Sequence, residues 1–174
     1  MPNKWSFLMG PVKKILERFV GAGVGWIDPF AGFNSPAEKT NDANVEAPTT
    51  HHMDALEFLK SLKSGSAKGA LYDPPYTIEM AKRRYNYMGY TDTASFATYM
   101  ANCKREIARI VELGGVVISL GWNSGGIGMK YGFEIEEIQL LPHGGHHYDT
   151  IVTIDRKTNE QKIIDWLAES GDKE

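Results

Sequence analysis

The sequence predicts an α/β domain built on a mainly parallel β-sheet. Short apolar runs typical of buried strands alternate with longer segments whose apolar residues recur at helical spacing. Two predicted strands, 24–28 and 69–72, lead directly into aspartate–proline pairs. Ligands of open parallel sheets bind outside the carboxyl ends of the strands. We therefore expect the functional site where these strands end, at Asp28 and Asp73.

The first half of the chain contains signals for both helices and strands. Pro11 suits the first turn of a helix, because a missing N–H costs nothing there. Asp54 precedes another apolar periodic run and could cap the helix that it starts. In chain order we predict a helix at 10–20, a strand at 24–28, a brief strand near 37–41, a helix at 53–62 and a strand at 69–72.

The second half begins with the longest helix candidate, 93–113, which we expect Gly114 and Gly115 to end. The apolar run 116–120 is the clearest buried strand of the sequence. Two further strands joined by a glycine- and histidine-rich loop are expected to form an antiparallel C-terminal hairpin. The remaining predicted elements are the hairpin strands 133–141 and 148–154, their connecting loop 143–147 and a short amphipathic helix at 158–168.

Length and composition bound the class of protein. The chain has 174 residues, which is enough for one domain with a full core. Apolar content is ordinary and charge is mixed, as in globular rather than disordered chains. The net charge of −3 is not the basic balance expected of a lone nucleic-acid binder.

The single cysteine and the absence of long apolar runs bear on location. Cys103 cannot form an intramolecular disulfide, which indicates a reducing compartment, and it is expected to be a small core residue. No stretch approaches the ~18 apolar residues of a membrane span. The N-terminus also lacks a signal-peptide pattern, so we expect a cytoplasmic location without membrane partners.

The tetrapeptide Asp73-Pro74-Pro75-Tyr76 has the chemistry of a base-amine site. The two prolines stiffen an extended backbone, which can leave the Pro74 carbonyl as an open acceptor. Together with an ionised Asp73, it offers two acceptors to an amine bearing two hydrogens. Such bonds would turn the nitrogen lone pair towards a methyl donor, without a metal. Tyr76 offers a face for base stacking, although a rigid turn without chemistry is the alternative interpretation.

The chain resembles the S-adenosylmethionine-dependent amino-methyltransferases of nucleic acids, especially the DNA adenine-N6 methyltransferases. Asp73-Pro74-Pro75-Tyr76 matches their DPPY catalytic motif, and Gly114–Ser119 resembles the strand that follows it. The resemblance covers roughly residues 4–155 and implies a Rossmann-like methyltransferase fold. It implies S-adenosylmethionine as cofactor, S-adenosylhomocysteine as product and a flipped base as substrate. We expect one minimal methyltransferase domain over 1–174, which departs from the family in lacking a separate target-recognition domain.

The same resemblance implies a set of cofactor-binding residues. Asp42 lies where an acidic residue would contact the cofactor ribose, although it could also be a solvated loop residue. Asp54 lies where an acidic residue would be placed beside the cofactor adenine, although it could also simply cap a helix. Asn34 replaces a frequent second glycine, and the short interval from 28 to 42 leaves little room for a helix. The implied cofactor residues are Lys4, Trp5, Asp28, Pro29, Phe30, Ala31, Gly32, Asp42 and Asp54.

A locally basic stretch, 79–109, is the candidate nucleic-acid contact. Basic and aromatic residues are interleaved there, as expected around a flipped base, although a solvated helix and loop would look the same. We expect residues 77–92 to form a mobile lid. The residues proposed to contact nucleic acid are Lys82, Arg83, Arg84 and Tyr85. The histidines at 143–147 are not expected to bind a metal, because no cysteine or carboxylate cluster accompanies them.

Three functions remain open at this point. The first is methylation of adenine N6 in DNA, and the second is methylation of an RNA base amine or of cytosine N4, which the same acceptors serve. The third is a non-catalytic subunit of the same fold that binds nucleic acid or a partner methyltransferase. A homodimer or a partner specificity subunit would supply target recognition in each case.

Overall fold

The structure is a computed structural model that describes residues 6–85, 92–143 and 148–159. Helices and strands alternate along the chain, with short 3-10 turns at Ser6–Leu8 and Met129–Tyr131. The helices are α1 (Gly10–Phe19), α2 (Ala55–Ser61), α3 (Ile78–Tyr85) and α4 (Thr93–Ile110). The strands are β1 (Trp26–Asp28), β2 (Lys39–Thr40), β3 (Ala67–Tyr72), β4 (Val111–Gly121), β5 (Phe133–Leu141) and β6 (Thr150–Lys157).

The strands form one six-stranded sheet in the order β2-β1-β3-β4-β6-β5. The first four strands in this order pair in parallel, whereas β6 is antiparallel to both β4 and β5. Strand β2 lies on one side of β1, and β3 followed by β4 lies on the other side. The order therefore reverses between β1 and β3, which is the position where open α/β sheets bind ligands. The predicted parallel sheet with an antiparallel C-terminal pair is confirmed.

Two apolar layers cover the sheet because successive strand residues face opposite sides. Trp26 and Leu71 pack in the cluster that includes α1. Their neighbours Ile27 and Tyr72 pack in the cluster that includes α2 and α4. Burying such a side chain stabilises the fold by about 1.5–3 kcal/mol. Both faces of the strands that carry Asp28 and Asp73 are thus fixed by the core.

Several predicted elements are confirmed with small shifts in their ends. Pro11 lies in the first turn of α1, and the brief strand near 37–41 is β2. Asp54 caps α2, since its carboxylate accepts hydrogen bonds from the backbone N–H groups of Leu56 and Glu57. The expected position of Cys103 is also confirmed, because it is fully buried in the α4 layer and its burial raises the pKa of the thiol.

The predicted end of the long helix is wrong. Helix α4 ends at Ile110 rather than near 113, and Val111 already belongs to β4, where it pairs with Ala67. Gly114 lies inside this strand with a φ of 80°, next to an irregularity in the β3–β4 pairing. This left-handed backbone favours glycine. The glycines therefore shape an irregular strand instead of ending a helix.

Helix α3 occupies part of the segment expected to be a lid. Ile78 and Ala81 are buried against Phe96 of α4, so the first half of that segment packs on the domain. Residues 86–91, the histidine-rich loop at 144–147 and the predicted helix beyond residue 159 lie outside the described residues. None of the described helices combines the length and the hydropathy needed to cross a membrane.

Candidate active site

Asp28 and Asp73 lie at the carboxyl ends of adjacent strands. β1 and β3 pair in parallel, with Ile27 opposite Ala70, so the residues that follow them share one edge of the sheet. Asp28 is fully buried and Asp73 is 7% exposed. The two carboxylates are close enough for the charge of Asp73 to raise the pKa of Asp28. The structure thus brings together the two strand ends selected from the sequence.

Asp28 organises the loop that follows β1. One carboxylate oxygen accepts the Phe30 N–H at 3.0 Å, and the other accepts the Ser35 hydroxyl at 2.7 Å. Burial raises the pKa of Asp28 to about 8. The two hydrogen bonds oppose this shift, whereas the charges of Asp73 and Asp42 add to it. At neutral pH the buried carboxyl therefore favours its protonated form, and its hydrogen bonds hold the turn.

Asn41 and Asp42 connect this loop to the segment before α2. The buried Asn41 amide donates to the carbonyls of Pro29 and Met53, and its oxygen accepts the Met53 N–H. The Ala31 N–H donates to the Asn41 carbonyl at 2.9 Å. Asp42 accepts the Gly32 N–H at 2.9 Å. The predicted cofactor loop is therefore held in place by side chains from the next loop.

Asp54 acts from the start of α2 and also contacts α4. One of its oxygens accepts the two N–H groups of the helix start, and the other accepts the Tyr99 hydroxyl at 2.7 Å. The structure thus shows the helix-capping role directly. Through Tyr99, the same carboxylate fixes α2 against α4, beside the loop that Asn41 holds.

The tetrapeptide follows β3 without an intervening residue. The Tyr76 hydroxyl donates to a carboxylate oxygen of Asp73 at 3.0 Å, which restrains both side chains. The Tyr76 ring makes an edge-to-face contact with Trp122, with ring centroids 5.1 Å apart. Trp122 follows β4, is 38% exposed and also contacts Tyr148. An aromatic row thus extends from the tetrapeptide towards the surface.

A cavity of about 210 Å³ lies beside the tetrapeptide. Pro74, Pro75 and Tyr76 line one side of it, and the end of β4 and helix α4 contribute the remainder. Its walls are mostly aromatic or apolar, with a small number of polar groups, as is common for small-molecule sites. The complete lining is Tyr72, Pro74, Pro75, Tyr76, Phe96, Met100, Lys104, Ser119, Leu120, Gly121, Trp122, Asn123 and Gly126.

The residues predicted to contact nucleic acid, and the two predicted cofactor residues at the N-terminus, are not among the described residues that line the cavity. Lys82 and Arg83 are exposed on α3, whereas the side chains of Arg84 and Tyr85 lie outside the described part of the structure. Lys4 and Trp5 also lie outside it. Within the described ranges, no cluster of three or more histidine, cysteine, aspartate or glutamate side chains is arranged to hold a metal ion.

Three residues of the site, Asn41, Ser119 and Trp122, were missed in the sequence, and Lys104 was included only as part of the basic stretch 79–109. Trp122 follows β4 directly, so the rule that selected Asp28 and Asp73, applied to a third strand end, could have found it. Asn41 is adjacent to Asp42 but carries no signal of its burial. Lys104 and Ser119 reach the cavity from α4 and β4, and only the packing of those elements brings them together.

Comparison with known proteins identifies the fold. No protein-family model matches the chain, and no curated protein matches its sequence. Among solved structures, it is similar to 1,6-didemethyltoxoflavin-N1-methyltransferase of Burkholderia thailandensis, solved with 1,6-didemethyltoxoflavin and S-adenosylhomocysteine. That match has a TM-score of 0.57 and 14% identity, and covers 86% of this chain and 78% of the other.

Two further matches have the same fold. TrmN of Thermus thermophilus has a TM-score of 0.53 and 14% identity, covering 84% of this chain and 48% of the other. NSun6 of Pyrococcus horikoshii has a TM-score of 0.50 and 13% identity, and the match covers 77% of this chain and 48% of the other. The chain spans about half the length of several structures that it matches. It has the Rossmann-like fold of S-adenosylmethionine-dependent methyltransferases.

Proposed function

We propose that the chain transfers a methyl group from S-adenosylmethionine to the exocyclic amine of a nucleic-acid base, with adenine N6 in DNA as the first candidate. The observation that carries this proposal is the position of Asp73–Tyr76. The tetrapeptide follows β3 beside the end of β1, at the reversal of strand order, and its residues Pro74, Pro75 and Tyr76 line a cavity. An RNA base amine or cytosine N4 would use the same acceptors.

The residues of the tetrapeptide have distinct roles in this proposal. Asp73 and the Pro74 carbonyl accept the two hydrogens of the amine, which fixes its orientation and turns its lone pair out of the base plane. Orientation of this kind can lower a barrier by several kcal/mol. The Tyr76 hydroxyl holds the carboxylate of Asp73 in position. The rings of Tyr76 and Trp122 offer surfaces for stacking, at roughly 1–3 kcal/mol per base.

The loop after β1 fits the proposed cofactor. S-adenosylmethionine would supply an electrophilic methyl group on a sulfonium sulfur and leave as S-adenosylhomocysteine, and the methylated amine would release one proton to solvent. Asp28 and Asp42 hold this loop, and the pKa of Asp28 is raised chiefly by burial, with smaller contributions from the charges of Asp73 and Asp42. A cation bound beside the loop would favour the charged form of Asp28. We therefore assign cofactor binding to the Asp28–Gly32 loop with Asp42.

The remaining implied contacts belong to the same proposal. The carboxylate of Asp54 would accept a further hydrogen bond, from the cofactor, in addition to those that cap α2. Lys4 and Trp5 would close over the cofactor. Lys82 and Arg83, exposed on α3, would contact the phosphate backbone together with Arg84 and Tyr85. Because the chain is acidic overall, we propose that a second copy or a partner subunit adds to target recognition.

Product identification tests this proposal. The protein is incubated with isotope-labelled S-adenosylmethionine and mixed DNA and RNA, and methylated nucleosides are identified by mass spectrometry. We expect labelled N6-methyldeoxyadenosine from the wild-type chain and none from Asp73→Ala. The matched control is Glu134→Gln, an exposed acid on the edge strand β5 that should retain full activity. Full activity of Asp73→Ala would refute the role of the tetrapeptide.

A second candidate function is a non-catalytic subunit that binds nucleic acid. The connection between β1 and β2, residues 29–38, contains no helix, so the cofactor region is short. A calorimetric titration with S-adenosylmethionine distinguishes the two functions. The enzyme should bind it saturably, whereas the non-catalytic subunit should give no heat.

A further inference from the structure

The cavity beside Pro74 and Pro75 contains a buried hydroxyl that the proposed mechanism does not use. Ser119 lies on β4 between Tyr72 of β3 and Thr153 of β6 and lines the cavity. It is 7% exposed, and its Oγ has no hydrogen-bond partner among the described residues. A buried polar group without a partner destabilises the fold unless a ligand or a water satisfies it. A ligand in the cavity could satisfy this group.

A lysine ammonium lies in the same cavity. Lys104 extends from α4, donates to the Gly126 carbonyl and lies 5.9 Å from the centroid of the Tyr72 ring. Burial lowers the pKa of Lys104, the buried Asp155 raises it and Lys130 lowers it. An ammonium has three donors and no acceptor, so the bond to Gly126 leaves further donor capacity. The cavity thus places these donors opposite Pro74, the residue that follows Asp73.

We propose that Lys104 and Ser119 recognise a ring acceptor next to the exocyclic amine of the target base and thereby determine specificity. This inference rests on the proposed function. Asp73 and Pro74 accept from the amine, while Lys104 and Ser119 donate to the ring atom beside it. Adenine and cytosine both present a ring nitrogen acceptor next to the amine. A ring N–H at that position would face an ammonium that cannot accept it.

The test removes the acceptor from the base and the donors from the protein. DNA pools carry 1-deazaadenine or 7-deazaadenine in place of every adenine, or 3-deazacytosine if the wild-type chain methylates cytosine. Each pool is compared with natural DNA by kcat/KM for the wild-type chain, Lys104→Met and Ser119→Ala. The matched control is Lys60→Met, which removes an exposed ammonium from helix α2. Calorimetry with S-adenosylmethionine verifies that each variant retains its fold.

A hydrogen bond to a charged group contributes about 1.5–3 kcal/mol, which corresponds to a 10- to 100-fold preference. We expect the wild-type chain and Lys60→Met to disfavour one deaza pool by about that factor. Lys104→Met should reduce the preference to near unity, and Ser119→Ala should reduce it several-fold. The inference is overturned if the wild-type chain shows no preference, or if both variants retain the wild-type preference.

A binding measurement separates failure of this inference from failure of the proposed function. If no pool yields a labelled nucleoside, the proposed function fails, and calorimetry with 9-methyladenine and its 7-deaza and 1-deaza analogues then tests the cavity alone. We expect the wild-type chain to bind 9-methyladenine more tightly than one of the two analogues, and Lys104→Met to lose that difference. Absence of binding, or an unchanged difference in both variants, contradicts the inference.

Discussion

Replacing Asp28 with asparagine should make the protein more stable at alkaline pH. The folded chain holds the pKa of Asp28 at about 8, against 3.8 for the free side chain, chiefly because the carboxyl is buried. An acid whose pKa is raised by folding destabilises the fold increasingly as pH rises from its unfolded towards its folded value. The loss is about 1.4 kcal/mol for each pH unit in that interval.

The magnitude follows from these two pKa values. Between pH 5 and pH 9 the difference in unfolding free energy between Asp28→Asn and the wild-type chain should grow by about 4 kcal/mol in favour of the variant. An asparagine oxygen can still accept the Phe30 N–H, and its amide can donate to the Ser35 oxygen. The variant therefore keeps the hydrogen bonds of the loop but no longer has an ionisable group at position 28.

Urea unfolding followed by circular dichroism at pH 5, 7 and 9 measures this difference. Glu134→Gln is the control, because it removes an exposed carboxylate and should follow the wild-type profile. Parallel profiles for Asp28→Asn and the wild-type chain would refute a raised pKa for Asp28. A variant that is less stable than the wild-type chain at pH 5 but still gains on it towards pH 9 would show that asparagine does not reproduce the hydrogen bonds of Asp28, while the raised pKa stands.

Three further predictions concern packing and the nucleic-acid surface. Asn41→Ala removes buried hydrogen bonds between two loops and should cost about 3 kcal/mol in urea unfolding. Gly69→Ala should destabilise by about 3 kcal/mol in thermal melts, since its new methyl group would lie 2.5 Å from the Val116 carbonyl oxygen. Replacing Lys82 and Arg83 by alanine should reduce the salt dependence of DNA binding by about one unit of slope per lost phosphate contact, measured by fluorescence anisotropy, with Lys60→Ala unchanged.

The helices and strands that were predicted best are those whose local sequence pattern agrees with the packing around them in the folded chain. Helix α1 combines Pro11 at its start with one apolar face, and the core buries that face. The end of α4 was predicted wrongly because Gly114 is equally suited to ending a helix and to an irregular strand. Only the pairing of Val111 with Ala67 decides between them, and that pairing depends on distant sequence.

The tetrapeptide at the end of β3 was easier to predict than the residues that complete the cavity. Asp73–Tyr76 is contiguous, and its stiffness and acceptors are properties of the local chain. Lys104, Ser119 and Trp122 come from separate elements and meet only because α4 packs on the sheet. In the sequence, Lys104 cannot be distinguished from an ordinary solvated lysine, or Ser119 from an ordinary serine in a strand. Their shared cavity is the basis of the common role that we propose for them.

The central claim is that Asp73 positions the amine for methyl transfer, and the turnover of Asp73→Asn tests it most directly. The variant keeps the size of the side chain but replaces one acceptor oxygen with a donor that faces the amine hydrogens. We predict that kcat for methylation of DNA falls at least about 100-fold, while the Kd for S-adenosylmethionine stays within about two-fold. A kcat equal to that of the wild-type chain would contradict this account of the site.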